Sequence, residues 1–155
     1  MMRAVIQRVQ TASVQVDNSL IASIRKGLLI LLGIEVNDSI EEAELMASKI
    51  TRLRLFDDFE SEKNLDCLDA GGSILCVSQF TLFGDVRRGN RPSFTQAAPS
   101  DAAFPIWKHF CKAIRSNGVR CAEGIFGASM SVHSVNSGPV TLMIDSNELK
   151  LPRRN

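Results

Sequence analysis

Apolar and polar positions divide the chain into a strand-rich first third, a well-marked helix, a central strand, a second helix and two closing strands. Residues 3–9 do not alternate cleanly, but the β-branched Val5, Ile6 and Val9 favour an extended strand. Residues 13–17 do alternate, Asn18-Ser19 supplies a turn, and residues 20–24 can pair back as a hairpin. Gly27 then opens 28–34, an apolar run broken only by Gly33, which suits a strand covered on both faces.

Ser39-x-x-Glu42 has the form of a capping box, in which each side chain satisfies the other residue's free backbone N–H. Ala43, Met46, Ala47, Ile50 and Leu53 follow at three- and four-residue steps, the stripe of a helix lying on a sheet. Residues 53–56 read as a short strand, 57–64 as a polar loop, and Gly71-Gly72 as a tight turn before a strand over 73–80. A second helix is expected from about 100 to 117, with Phe104, Trp107, Phe110, Cys111 and Ile114 on one face and Gly118 just past its end. Pro105 weakens its first turns. Strands over 129–136 and 140–145 flank a Ser137-Gly138-Pro139 turn. The sum is an α+β fold: a curved or barrel-like, largely antiparallel sheet with two main helices. No repeat or Pro/Gly/Ser linker divides the chain, so 1–150 reads as one domain and 151–155 as a short C-terminal tail.

Composition narrows the function classes. Among 155 residues, 18 Lys+Arg stand against 17 Asp+Glu, and 45% are hydrophobic, the proportions of an ordinary soluble domain. A chain of this length buries roughly 70% of its unfolded surface and needs no disulfide or metal staple. The longest unbroken apolar stretch, 28–32, is far short of the roughly 20 residues that cross a bilayer. Arg3, Gln7, Arg8 and Gln10 interrupt any signal-peptide core, so a cytoplasmic protein is expected. Cys67, Cys76, Cys111 and Cys121 are spaced by 9, 35 and 10 residues, which matches no zinc pattern, and His109 and His133 stand apart from each other. No metal site is expected, and the thiols read as unpaired and mostly buried. A net charge of +1 excludes coating a nucleic acid by bulk charge, so any such partner must meet a local basic patch.

Two segments carry more polar chemistry than a fold requires. In the first, an apolar strand ends in Ser78, Gln79 and Thr81, two hydroxyls and an amide within four positions. Backbone N–H groups freed at that strand end can point at a developing oxyanion, although a simple turn cap would use the same residues. The second is Asn136-Ser137-Gly138-Pro139-Val140-Thr141. A trans proline there makes an ordinary hairpin; a cis bond turns the carbonyls of Gly138 and Pro139 to one side, where they can hold an ammonium. The residues alone do not choose between the isomers. Between the two segments lie Arg87, Arg88 and Arg91, the best local candidate for phosphate contacts or else a solvated loop.

With these motifs in order, the chain resembles the D-aminoacyl-tRNA deacylases over nearly its whole length. The resemblance starts at Arg3-Ala4-Val5-Ile6-Gln7-Arg8-Val9 and runs through Ser78-Gln79-Phe80-Thr81-Leu82 and Arg91-Pro92-Ser93-Phe94 to Asn136-x-Gly138-Pro139-Val140-Thr141. It implies a homodimer that hydrolyses the ester of D-aminoacyl-tRNA, and of mischarged glycyl-tRNA, while sparing L-aminoacyl-tRNA, with no metal or organic cofactor. It also implies a cis Gly-Pro bond and a motif that acts across the subunit interface. Carried onto this chain, the carbonyls of Gly138 and Pro139 bind the substrate ammonium. Phe80 and Thr81 supply N–H groups to the ester, and Ser78 and Gln79 shape the pocket around adenosine and ester. Arg8 supports the Gly-Pro loop, Met130 walls the pocket, and Asn136 belongs to the substrate-binding motif.

Three features depart from the commoner pattern: Ser137 where an acidic residue is frequent, His133-Ser134 where Ser-Leu is usual, and Pro105 within the second helix. Two rivals come from other classes. A non-catalytic RNA-binding dimer would use the basic loop but leaves the polar cluster at Ser78 to Thr81 without a purpose. A cysteine hydrolase would need Cys111 or Cys76 beside His109 or His133, yet Cys111 and His109 are two apart on a helix and point to different faces.

Overall fold

The computed structural model describes residues 1–58 and 64–154. Its centre is β1 (Arg3–Val16), followed by β2 (Ser19–Ile24), β3 (Gly27–Gly33), α1 (Ile40–Arg52), β4 (Ser73–Ser78), a 3-10 turn (Phe80–Phe83), α2 (Ser100–Ser116), β5 (Cys121–Glu123), β6 (Ser131–Asp145) and α3 (Ser146–Leu149). The sheet order is β2-β1-β3-β4-β5, with β6 also paired to β1. The β1 pairings are antiparallel, whereas β3-β4 and β4-β5 are parallel, so the sheet is mixed. It curls until β2 approaches β4 and β5, giving a nearly closed barrel.

Two apolar layers result. Leu28, Ile30, Leu32, Ile74 and Cys76 face α1 and α2, where Met46, Ile50, Trp107, Phe110 and Ile114 are buried. Leu29, Leu75 and Val77 point the other way, into the barrel, with Val14 and Ile24. The continuous apolar run of β3 is therefore covered on both faces, as its composition predicts.

Several local expectations are corrected. Residues 3–9 and 13–16 belong to one strand, which changes face midway: Ala4 and Ile6 lie in the helix-side core and Ala12 and Val14 in the barrel. Register shifts against β6 between Val9 and Thr11 absorb the change of phase. The hairpin turn is centred on Asp17-Asn18, both at positive φ (50° and 63°), one residue before the predicted centre. Ser39 makes no capping hydrogen bond, and the other half of the box is lost as well, since the Glu42 carboxylate accepts from Ser146 Oγ at 2.6 Å. Residues 53–55 are irregular, and only Phe56 bridges, to Leu65. The polar loop expected over 57–64 lies largely outside the described residues. Helix α2 runs through Pro105, whose missing N–H leaves only the carbonyl of exposed Asp101 unserved. Phe104 is 46% exposed rather than on the buried face.

The most consequential correction concerns β6. Its two halves pair in the same direction along β1, from Gln15↔Ser131 to Arg3↔Asp145, so Ser137-Gly138-Pro139 is not a hairpin turn between neighbouring strands. Gln7 pairs with Thr141 and Val9 with Asn136, leaving residues 137–140 looped out opposite Arg8.

Tight packing at the entry to the parallel ladder gives a stability prediction. A Cβ on Gly27 would sit 1.7 Å from the Ser73 carbonyl oxygen, a backbone atom fixed by the Gly27↔Ser73 pair. Gly27→Ala is expected to cost about 3 kcal/mol and lower Tm by roughly 10 °C, read by circular dichroism melting.

Candidate active site

Where β3 and β4 end side by side, the structure opens a cavity of about 490 Å3. Leu32 and Ile34 line it from β3 and its continuation, Val77 and Ser78 from β4, and Ala103 from α2. Phe94, residues 97–99, Phe126 and Met130 add further apolar wall, and Gln79 and the backbone of Phe80 lie at the polar end. An apolar chamber of this size with a few convergent polar groups is the ordinary form of a small-ligand site.

The polar end is a strand that turns abruptly. Gln79 N–H donates to Leu32 O at 2.8 Å, holding the end of β4 against β3, and the chain then winds into the 3-10 turn. The first internal bond of that turn is donated by Leu82 N–H to Gln79 O at 3.3 Å, so the N–H groups of Phe80 and Thr81 precede it and are free for a ligand. The Gln79 side-chain amide donates to Thr81 Oγ1. Arg3 secures the turn from β1: its Nη1 donates to Leu82 O at 3.1 Å and its guanidinium lies 5.0 Å from the Phe83 ring centroid. SQFTL is therefore not a strand tail, as the sequence pattern implied, but a pinned turn that presents its leading N–H groups beside a cavity.

Arg8, on β1, reaches the looped-out segment of β6. Its Nε donates to Ser137 O at 3.3 Å and its Nη1 to Leu55 O at 2.7 Å, with the Asp57 carboxylate 4.0 Å away. Asn136 closes the neck of the loop: its Nδ2 donates to Thr141 Oγ1 at 3.1 Å and its Oδ1 accepts from Val140 N–H at 3.4 Å. The Gly138-Pro139 peptide bond is cis, and Gly138 has a φ of 118°.

Within one chain these two polar centres do not meet. Ser78, Gln79, Phe80 and Met130 line the cavity; Thr81, the next residue along the chain after Phe80, is exposed and is not among the lining residues. Gly138, Pro139, Asn136 and Arg8 form a second group on the exposed side of β1 and β6, and none of them lines the cavity. The strand carrying them also exposes Val132, Val135 and Met143, apolar side chains on an element whose one strand partner among the described residues is β1.

The sequence reading missed Phe126 and the segment 97–99 as cavity walls. Phe126 lies between Gly124 and Gly127, and such a short glycine-flanked aromatic has no periodicity to place it. Its ring packs edge-on to Phe104 at 5.3 Å, which explains why Phe104 leaves the buried face of α2.

The cysteine arrangement does not assemble. All four thiols are buried and unpaired. Burial pushes the Cys76 thiol up, raises Cys67 to about 12, and adds to the hydrogen bond with Cys111 that raises Cys121. His109 instead contacts Glu44 on α1 at 2.8 Å, and His133 is exposed on β6. Thiols held neutral without an imidazole partner are structural.

Comparison with known proteins identifies the family. The family model described as D-Tyr-tRNA(Tyr) deacylase matches residues 5–145. A D-aminoacyl-tRNA deacylase from Chloroflexus aurantiacus is 54% identical over 153 residues, 99% of this chain and 96% of the relative. A solved structure named c-Myc DNA Unwinding Element Binding Protein superposes with a TM-score of 0.85 at 40% identity, covering 92% of this chain and 97% of that one. A structure described as a "probable eukaryotic D-amino acid tRNA deacylase" superposes with a TM-score of 0.79 at 20% identity over 92% of this chain and 98% of that one, a likeness of fold. By the extent of these matches and the motifs that carry them, the chain belongs to the D-Tyr-tRNA(Tyr) deacylase family.

Proposed function

We propose that this protein hydrolyses the ester joining a D-amino acid, or glycine, to the terminal adenosine of tRNA, as a cytoplasmic homodimer that spares L-aminoacyl-tRNA. The observation that carries the reading is the cavity itself: room for a nucleoside, ending at a turn whose first N–H groups are unused, in a chain of this family. Adenosine occupies the apolar chamber, with Ser78 and Gln79 around the ribose and ester. The N–H groups of Phe80 and Thr81 receive the carbonyl oxygen as it becomes an oxyanion.

Little further equipment is required, because an aminoacyl ester is already activated and needs positioning, charge stabilisation and a water. Histidine, lysine and carboxylate side chains are absent from the described residues lining the cavity, so the chain offers no general base there. The ribose 2′-OH beside the ester supplies the missing proton-transfer group, and Thr81, accepting from Gln79, orients rather than attacks.

Chirality is read by the looped-out segment of a second copy. The separation of the two polar centres in one chain, and the exposed apolar residues along β6, support a site completed across an interface. Inserted there, the carbonyls of Gly138 and Pro139 accept from the substrate ammonium and occupy the space an L side chain needs, so selectivity comes from exclusion. Glycine, with no side chain, passes, and a D side chain points outward. Arg8 supports the segment from below, and Asn136 closes its neck.

The test is a matched deacylation assay on one tRNA charged with D-Tyr, L-Tyr or Gly, with excess chelator. Loss of the D and Gly esters with the L ester spared is expected. Hydrolysis of none of the three would move the function toward nucleic-acid binding, the activity named for the 40% identical structure.

A further inference from the structure

The three arginines between the two motifs are not absorbed by this reaction. They sit on an arm that the structure builds as a closed hairpin: Asp85 N–H donates to Ser93 O at 2.7 Å and Ser93 N–H to Asp85 O at 2.9 Å. Gly89, at a φ of 62° with open space where a Cβ would stand, turns the tip. Arg87 is spent on the arm itself, forking onto the Asp85 carboxylate at 2.6 to 3.1 Å. Arg88 and Arg91 are exposed and have no carboxylate partner among the described residues. Three arginines and one aspartate give residues 85–93 two positive charges, more than the +1 of the whole chain, so the charge is concentrated here.

The arm is rooted in the cavity wall. Gly84 leaves the 3-10 turn against the Phe94 ring, and Phe94 resumes the cavity lining where the arm returns. The Phe80 and Phe94 rings meet edge to face at 5.3 Å. Phe80 is 57% exposed at the mouth. A nucleoside seated in the cavity at the 3′ end of an RNA carries its next group, a phosphodiester, on its 5′ oxygen; seated with that oxygen toward Phe80 and Phe94, it delivers the phosphate to the root of the arm. With four residues from Asp85 to Gly89, the arm reaches at most about 14 Å, long enough to run beside more than one nucleotide.

We propose that Arg88 and Arg91 bind the phosphates of the single-stranded nucleotides that precede the terminal adenosine, making the 85–93 hairpin the sequence-independent grip on tRNA. This rests on the deacylase reading for the identity of the nucleic acid. Phosphate contacts of this kind set register without reading bases, which suits an enzyme that must accept many tRNAs.

The test compares D-Tyr-tRNA with D-Tyr esterified to adenosine alone, which lacks those phosphates, for the wild type, Arg88→Gln/Arg91→Gln and Arg88→Lys/Arg91→Lys. The ratio of kcat/KM on the tRNA to that on the adenosine ester is expected to fall about 10-fold in the glutamine variant and to recover with lysine. The salt slope on tRNA should become shallower by about 1.4, two single-strand contacts at about 0.7 each. A ratio within twofold of wild type and an unchanged slope would overturn the proposal. If the wild type hydrolyses neither substrate, the deacylase reading fails instead. The arm is then judged by filter binding of uncharged tRNA, where equal affinity of wild type and glutamine variant overturns it.

Discussion

Replacing Gly138 by alanine is expected to lower kcat/KM on D-aminoacyl-tRNA by about 100-fold while moving Tm by only a few degrees. The backbone there has a φ of 118°, a region that L side chains rarely enter, and a Cβ would stand 2.8 Å from Arg8 Nη2 and 3.1 Å from Val140 Cγ2. Relief has to come from moving the guanidinium, which is tied to Leu55 O and Ser137 O, or from moving the segment itself. Either shift displaces the carbonyls assigned to the ammonium by about an ångström, enough for a loss of that size. The fold is spared because the segment is an exposed excursion from β6, and strain there costs roughly 1 to 3 kcal/mol. Ser137→Ala is the matching control: Arg8 uses only the Ser137 carbonyl, so its turnover should stay within about twofold of wild type. Single-turnover deacylation beside a thermal melt separates the outcomes. Wild-type turnover in Gly138→Ala would detach the segment from the reaction.

How much of this was legible in the residues depends on the range of the contacts involved. The stripes of α1 and α2 and the doubly covered β3 are written in local periodicity, which burial against a sheet enforces, and they appear within a residue or two of their predicted bounds. β1 was divided in two because its apolar phase flips midway. Only the shifted pairing with β6 shows that one strand can serve both cores. A Gly-Pro step between two strand-like runs reads as a hairpin by local rules. Its true form, an excursion from one strand, follows from both flanks pairing along β1, which is non-local information. Ser39-x-x-Glu42 failed similarly, since Ser146, more than a hundred residues away, takes the glutamate.

The candidate site shows the same division. Ser78, Gln79, Phe80 and Thr81 were conspicuous because polar groups crowd the end of an apolar strand, and that crowding needs no tertiary knowledge. Their conversion into a donor-presenting turn depends on Arg3 and Leu32, which no spacing rule connects to them. Phe126 and Phe94 became cavity walls through ring packing and loop closure alone. Arg8 gained a role from resemblance, and its position opposite residues 137–140 supplies a physical reason: a cation whose forked donors can hold two carbonyls of different segments at once.

A tRNA ending in 2′-deoxyadenosine, with the D-amino acid on its 3′ oxygen, is expected to be hydrolysed about 1,000-fold more slowly than the ribose substrate, whereas Thr81→Ala should remain within about 10-fold of wild type. The contrast follows from what surrounds the ester. A threonine hydroxyl becomes a nucleophile only beside a base that takes its proton, and Thr81 Oγ1 has a donor next to it, the Gln79 amide. His109 is engaged with Glu44 and His133 stands on β6, so neither imidazole is placed to serve it. The vicinal hydroxyl of the substrate, by contrast, lies within one carbon of the scissile ester in every aminoacyl-tRNA and can pass a proton as the water adds. Removing it deletes a proton-transfer group, a contribution of about 100- to 10,000-fold. Removing the Thr81 side chain leaves its backbone N–H, the group assigned to the oxyanion, in place. The measurement is single-turnover hydrolysis of both substrates by both proteins. A dead Thr81→Ala with an intact rate on the deoxy substrate would make Thr81 the nucleophile and require a base from the second copy of the proposed dimer.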